Sequence, residues 1–409
     1  MPCQIAVYHQ EWTATVRMAL PRLSKPQASV LALFSLGMVF ARSCALTAVV
    51  AFLATAGERK PNTVRQQLRE FAWEASAKQG DKRREIVVEL CFVPLLRWIL
   101  SRWQGSQLAL AIDATTLSDR FVVLAISVVY RGCAIPVAWT ILRAGEKRAW
   151  RREWLRMLRL LRPAIPPTWT VLVLADRGLY ARWLFRRIVR LGGHPFLRIN
   201  RGGTFRPQGQ ARYASLSSFV PQTGMQWCGT GTAFQGQASQ LACTLLARWE
   251  EGHRDPWLIL TDLPPDACDA CWYGLRMWIE HGFKVTKRAG WQWQHTRMTD
   301  PDRAARLWLV VAVATAWLVS VGGEADAALP ESGIAQLPPT GPTQRRQRRA
   351  TRLRLVGVFR QGLTLLVVAM LEHQPLPLGR FLPEPWPTAP PLTPVPTTAA
   401  LIPQNTASQ

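Results

Sequence analysis

Hydrophobic and polar positions change their spacing twice along the chain. Up to about residue 105 the apolar positions recur at helical intervals. ASVLALFSLGMVFARSCALTAVVAFLATAG has helical length and few breakers, and NTVRQQLREFAWEASA opens on an Asn cap. A short helix, the turn GERKPN and a basic second helix together make a candidate helix-turn-helix.

From residue 107 the runs become short and β-rich. QLALAID predicts a strand ending in Asp113, and FVVLAISVVY and CAIPVAWTIL predict two more joined by a tight RG turn. A basic helix over 146–162 follows, then the strand WTVLVLAD ending in Asp176, the helix YARWLFRRIVRLGG and the strand HPFLRIN. Three strands, helix, strand, helix, strand is the order of the ribonuclease-H-like α/β fold. Residues 201–256 are Gly-, Ser- and Gln-rich with short alternating runs, which predicts an inserted β subdomain. The parent fold resumes at WLILTD, with a helix from about 266 to 284 and the apolar helix RAARLWLVVAVATAWLVSV. A polar link over 323–343 leads to a basic helix with an apolar end, roughly 344–373.

The expected organisation is therefore a helical region over 1–105, a core over 106–200 and 257–374 interrupted by the insertion, and a tail over 375–409. That tail holds ten of the thirty prolines and is expected to be disordered.

Charge narrows the partners. With 50 Lys+Arg against 26 Asp+Glu the net charge is +24, and such a surplus suits a polyanion, because each neutralised phosphate releases condensed counterions. Nucleic acid comes first and an anionic membrane surface second. The apolar runs at 28–56 and 307–321 read as buried helices: the first carries Arg42 and Ser43 near its centre, and the second is short against the roughly 20 residues a crossing needs. MPCQIAVYHQEW lacks the regions of a signal peptide, so a cytoplasmic location without membrane attachment is expected. Eight scattered cysteines suit a reducing compartment, and the lone pair Cys268-x-x-Cys271 lacks the second pair or nearby histidines of a zinc site.

The candidate chemistry lies in WYGLRMWIEHGFKVTKRAGW, residues 272–291. Tyr273, Arg276, Glu280, Lys284 and Lys287 fall at offsets of 0, 3, 7, 11 and 14, on one face of a continuous helix. Alone, such a stripe is an ordinary solvated face, with Glu280 and Lys284 an i,i+4 pair contributing roughly 0.2–0.5 kcal/mol. Asp113 and Asp176 change that reading. The first and fourth strands of a ribonuclease-H topology are neighbours, so both aspartates project from one sheet edge, where Glu280 can join them. A strand-end Asp singly is often a turn cap, and Asp119, Asp262 and Asp266 are explained by turns or helix starts. Three carboxylates together suit two Mg²⁺ ions, which take oxygen ligands and can stabilise both attacking and leaving oxygens of a displacement at phosphorus.

These residues resemble the bacterial insertion-sequence transposases of the DDE type marked by a Y-x2-R-x3-E-x6-K signature. Tyr273, Arg276, Glu280 and Lys287 match at every spacing, IDATTL and LADRGLY resemble the first and second acidic motifs, and RMTDPDRAARLWLVVAVA resembles the segment after the signature. The resemblance spans roughly residues 106–322 and implies Asp113, Asp176 and Glu280 as catalytic ligands of two Mg²⁺ ions, with Mn²⁺ able to substitute. It implies phosphate contacts from Tyr273, Arg276, Lys284 and Lys287, a DNA-contacting Arg198, and Trp257 as the ring on which a flipped base stacks. Implied too are double-stranded DNA partners, namely the element's terminal inverted repeats and a target, a homodimer pairing two ends, and a place at the nucleoid. Two other readings stand beside this one: a two-metal nuclease without strand transfer, and an inactive DNA-binding remnant.

Overall fold

The computed structural model describes residues 2–78, 83–146, 150–328, 356–388 and 393–394. Five α-helices come first: α1 (Pro2–Ala19), α2 (Lys25–Ala41), α3 (Leu46–Ala56), α4 (Pro61–Ala72) and α5 (Glu89–Ser101). Ser24 and Gln27 form a reciprocal capping box at the start of α2, and Arg42, in the left-handed region at φ 52°, ends it. The apolar run 28–56 is thereby two helices bent by 95°. Pro61 starts α4, whose Val64, Leu68 and Phe71 are buried at helical spacing.

The core follows as β1 (Gln107–Leu117), β2 (Phe121–Tyr130), β3 (Cys133–Arg143), α6 (Arg151–Leu161), β4 (Thr170–Ala175), α7 (Arg182–Arg190) and β5 (His194–Arg198). Next come β6 (Thr204–Pro207), β7 (Ala214–Ser215), β8 (Met225–Ala233), β9 (Leu241–Trp249) and β10 (Trp257–Thr261), then α8 (Met277–Lys284), α9 (Pro301–Ala327), α10 (Val358–Leu371) and β11 (Thr393–Pro394). One mixed sheet runs β3-β2-β1-β4-β5-β10-β9-β8-β6-β7, with β11 against β8. β1, β4 and β5 are parallel and β2 and β3 antiparallel to their neighbours, as a ribonuclease-H-like α/β core requires. The strands of 201–256 extend this same sheet beyond β10.

α9 is long and apolar enough to cross a membrane, yet 94% of its most apolar window is buried among β3, α2, α4 and α10. Asp300 caps it through the Arg303 amide. Gly322 of α9 lies so close to the backbone of α10 at Val358 that a Cβ there has no room.

Four expectations need correction. β1 does not stop at Asp113 but continues, paired to β2, as far as Leu117. The helix expected over 266–284 is instead a 3₁₀ stretch Ala270–Arg276, then α8, then a π turn Val285–Ala289. The link expected from 323 begins later, because α9 keeps its register to Ala327; the remainder of that link and the expected helix start at 344–355 lie outside the described residues. The first part of the proline-rich tail is packed. Trp317 and Arg102 donate to the carbonyls of Pro377, Leu378 and Gly379, the Leu382 amide donates to Tyr130, and Phe381 is buried. Residues 395–409 lie outside the described residues.

Candidate active site

Register brings the first two acids level. β1 and β4 pair in parallel from Gln107 opposite Thr170 to Ala111 opposite Leu174. Two residues on, the same offset sets Asp113 level with Asp176, just past the last β1–β4 pair, while Asp113 stays paired to Ala125 of β2. Asp113 accepts from its neighbour's amide, Ala114 N, at 2.8 Å, and Asp176 accepts from Gly178 N at 2.8 Å. Each carboxylate is thus oriented by local backbone.

The third acid arrives from the signature segment. Asp269 caps the 3₁₀ stretch through Cys271 N, and Arg276 sits where that stretch passes into α8. Its guanidinium is 7% exposed and lies at the centre of the acids. Nη1 contacts Glu280 at 2.8 Å, and Nη2 contacts Asp113 at 2.8 Å and Asp176 at 3.5 Å. One cation therefore faces three carboxylates, leaving an excess of two negative charges when all are ionised. Burial raises the Asp113 carboxyl above its ordinary 3.8, against the pull of Arg276, and the like charges of Asp176 and Glu280 raise it further.

The donor set fits a divalent cation in kind, being hard carboxylate oxygen around a position already held by positive charge. It does not fit in spacing as it stands: among the described residues no three His, Cys, Asp or Glu side chains converge tightly enough to hold an ion. The guanidinium explains both observations, since the acids close on Arg276 and not on one another. Arg276 is thus the positive charge on which the three carboxylates close.

The remaining expected residues divide. Tyr273 is 4% exposed, and burial pushes its phenol up to about 12. Trp257 is half-buried at the start of β10, edge-on to Tyr273 at 5.4 Å. Arg198 ends β5 opposite Ile259 and donates to Pro256 O at 3.2 Å. Arg276 and then Arg198 oppose the rise of the Tyr273 phenol, and the negative charges of Asp176 and Asp113 add to it. Lys287 Nζ donates to Thr115 Oγ1 at 2.8 Å and Thr116 O at 3.2 Å, tying the π turn to the extension of β1. Lys284 is exposed. Thr115 and Thr116 are the partners that the sequence did not single out; their only signal was adjacency to Asp113. Of the decoys, Asp119 lies in the β1–β2 turn, Asp262 faces His194 at 3.1 Å and Asp266 lies in a 3₁₀ turn.

Comparison with known families finds one described as transposase DDE domain, matched over residues 104–317, a span that begins just before β1 and ends within α9. No curated protein matches the chain.

Proposed function

The chain belongs to the transposase DDE-domain family, and from that premise we propose that it catalyses cut-and-paste movement of an insertion sequence through a DNA hairpin, as a member of the Y-x2-R-x3-E-x6-K group. Membership makes it a DNA transposase, and such enzymes generally use divalent metal ions. What carries the finer reading is the gathering of Asp113, Asp176 and Glu280 around one buried guanidinium at the end of the β1–β4 ladder.

In this reading Asp113, Asp176 and Glu280 hold two Mg²⁺ ions, with Mn²⁺ able to replace them. Held by these three residues, such ions would supply charge neutralisation for displacement at phosphorus. Arg276 keeps the acids together and, in this reading, would contact the phosphates of the terminal nucleotides. Lys287, Lys284, Arg198 and Tyr273 contact the backbone of the terminal nucleotides. The 3′-hydroxyl freed by the first nick attacks the opposite strand, breaking its phosphodiester bond and closing a hairpin. After water opens the hairpin, the same hydroxyl attacks target DNA.

Trp257 receives the base that a hairpin forces from its stack, at about 1–3 kcal/mol per stacked base. Its edge contact with Tyr273, three residues before Arg276 in the chain, supports that role. The helices of 1–105 bind the terminal repeats, 201–256 forms an inserted subdomain beside the active edge, and two chains pair two ends. The work is done in the cytoplasm, at the nucleoid.

The test is a time course on DNA carrying the element's own inverted repeats, resolving nicked, hairpin, opened and strand-transfer products. All four in order are expected. Cleavage without joining would identify a nuclease, and no cleavage with retained binding an inactive remnant. Trp257→Ala should impair the hairpin more than the nick, with partial rescue by an abasic residue at the flipped position; equal loss at both steps would make Trp257 a packing residue.

A further inference from the structure

α6 and α7 form a second concentration of positive charge that the active edge does not use. α7, RWLFRRIVR, contains four arginines and no acid, and its Leu184, Phe185 and Ile188 face inward. The polar face is left to arginine: Arg182, Arg186 and Arg190 recur every four residues, so they form one row along the helix. On α6 the single acid, Glu153, is buried and bound to Arg156 at 2.8 Å. No carboxylate of either helix is therefore available to the row.

The two helices enclose a cavity of about 270 Å³ lined by Arg151, Arg182, Trp183, Arg186, Arg187 and Arg190. Arg151 lies over the Trp183 ring at 5.4 Å, which fixes it at the cavity edge. Arg182 is anchored by donating to Ala238 O, while Arg186 and Arg190 are exposed. Five guanidiniums this close repel one another unless an anion sits among them. The buried face of α7 is Leu184, Phe185 and Ile188, so the exposed Arg186 and Arg190 take no part in its packing.

Position relates this cluster to the triad. β4 and β5 are parallel, so α7 must run back along the sheet from the edge where Asp176 stands. Arg182 is six residues beyond Asp176, and from Arg182 to Arg190 the row extends about 12 Å at 1.5 Å per residue. That length matches three to four nucleotides of one strand at about 3.4 Å each. We infer that the arginine row of α7, with Arg151 of α6, is a phosphate-backbone binding site that holds double-stranded DNA where it leads away from the active edge. The inference rests on the DNA-transposing function proposed above.

The experiment uses the full chain and a duplex of arbitrary sequence. Binding is measured against salt for the wild type, for the double variant Arg186→Ala/Arg190→Ala and for Arg159→Ala, an exposed arginine of α6 outside the cavity. Each lost phosphate contact should lower the slope of log affinity against log salt by about 1, so the double variant should lose about 2 and the control none. In parallel, wild-type protein is treated with an arginine-modifying dicarbonyl with and without the duplex. DNA should protect Arg186 and Arg190 and leave Arg159 reactive, a readout that needs no variant to fold. An unchanged slope in a normally folded double variant, or protection no greater at Arg186 and Arg190 than at Arg159, would overturn the inference while leaving the proposed function standing. If the wild type binds no duplex at all, the function itself fails, and the inference with it.

Discussion

Two buried guanidiniums in this protein each gather carboxylates, and they do so in opposite ways. Arg131, at the β2–β3 turn, contacts Asp326 of α9 at 2.6 Å and Glu384 of the proline-rich segment at 2.7 Å, with acids 0% and 5% exposed. Arg276 is equally buried, but its acids Asp113, Asp176 and Glu280 are 16%, 37% and 41% exposed. The first cluster is sealed and joins three distant segments into one body. The second is open on the acid side, so water, metal or phosphate can reach the carboxylates while the cation is held from behind. Burial of the cation alone does not separate a structural ion cluster from a reactive one; exposure of the anions does.

Breaking the sealed cluster should have the largest effect on folding. Arg131→Met removes the guanidinium that both buried acids bond, a loss of about 3–5 kcal/mol, visible in denaturant or thermal unfolding. Added Mg²⁺ should not restore it.

Arg276→Met should cost less, because water can solvate the three acids that remain, and Mg²⁺ should recover much of the loss. A ligand at a hundredfold excess over its Kd adds about 2.7 kcal/mol to the folded state. The variant should therefore gain more from Mg²⁺ than the wild type, in which the guanidinium competes for the same oxygens. Equal gains in Arg276→Met and Arg131→Met would erase the distinction between the clusters.

A pH series sharpens it further. Asp113 is held above its ordinary 3.8 by burial, so it protonates earlier than a free aspartate as pH falls. Metal-dependent cleavage should then decline on the acid side before DNA binding does. In the unloaded fold the sign for stability is the reverse of that for an acid lowered on folding: a raised carboxyl opposes folding as pH rises through the unfolded and then the folded value. Replacing Asp113 by Asn should flatten that slope in the metal-free protein. A slope unchanged by Asp113→Asn would show that another group sets it.

Lys284→Ala is expected to change least. The side chain is exposed, so stability should stay within about 0.5 kcal/mol, and only the salt dependence of DNA binding should fall, by about 1 in slope. A loss of stability well beyond that would mean the lysine supports the π turn and does not await phosphate.

The three acids were legible because each sits at a change of local grammar. Asp113 and Asp176 follow apolar strand runs, and Glu280 stands at a fixed spacing within an aromatic and basic segment. The alignment of the two aspartates follows from the parallel β1–β4 register, which the strand and helix order implies. The position of Arg276 was not legible. A continuous helix puts it on the same stripe as the lysines, whereas the passage from 3₁₀ to α to π geometry turns Arg276 inward and leaves Lys284 outside. The packed segment before residue 388 escaped for a different reason. Proline lacks an amide proton but keeps its carbonyl, and Trp317 supplies the donor to Pro377 while Arg102 supplies those to the neighbouring Leu378 and Gly379 carbonyls, both from far away in sequence. Composition reports what a segment cannot donate and is silent on what distant side chains will donate to it.

The measurement closest to the central claim compares wild type with Glu280→Gln on DNA carrying the element's ends in Mg²⁺, reading binding and cleavage together. Glu280 bonds Arg276 from the exposed side of the triad, and glutamine keeps its size while removing its charge. The variant should bind the ends as the wild type does and yield neither nick nor hairpin. Cleavage near the wild-type rate would contradict the account, because the carboxylates around Arg276 would then be a second structural cluster like that of Arg131.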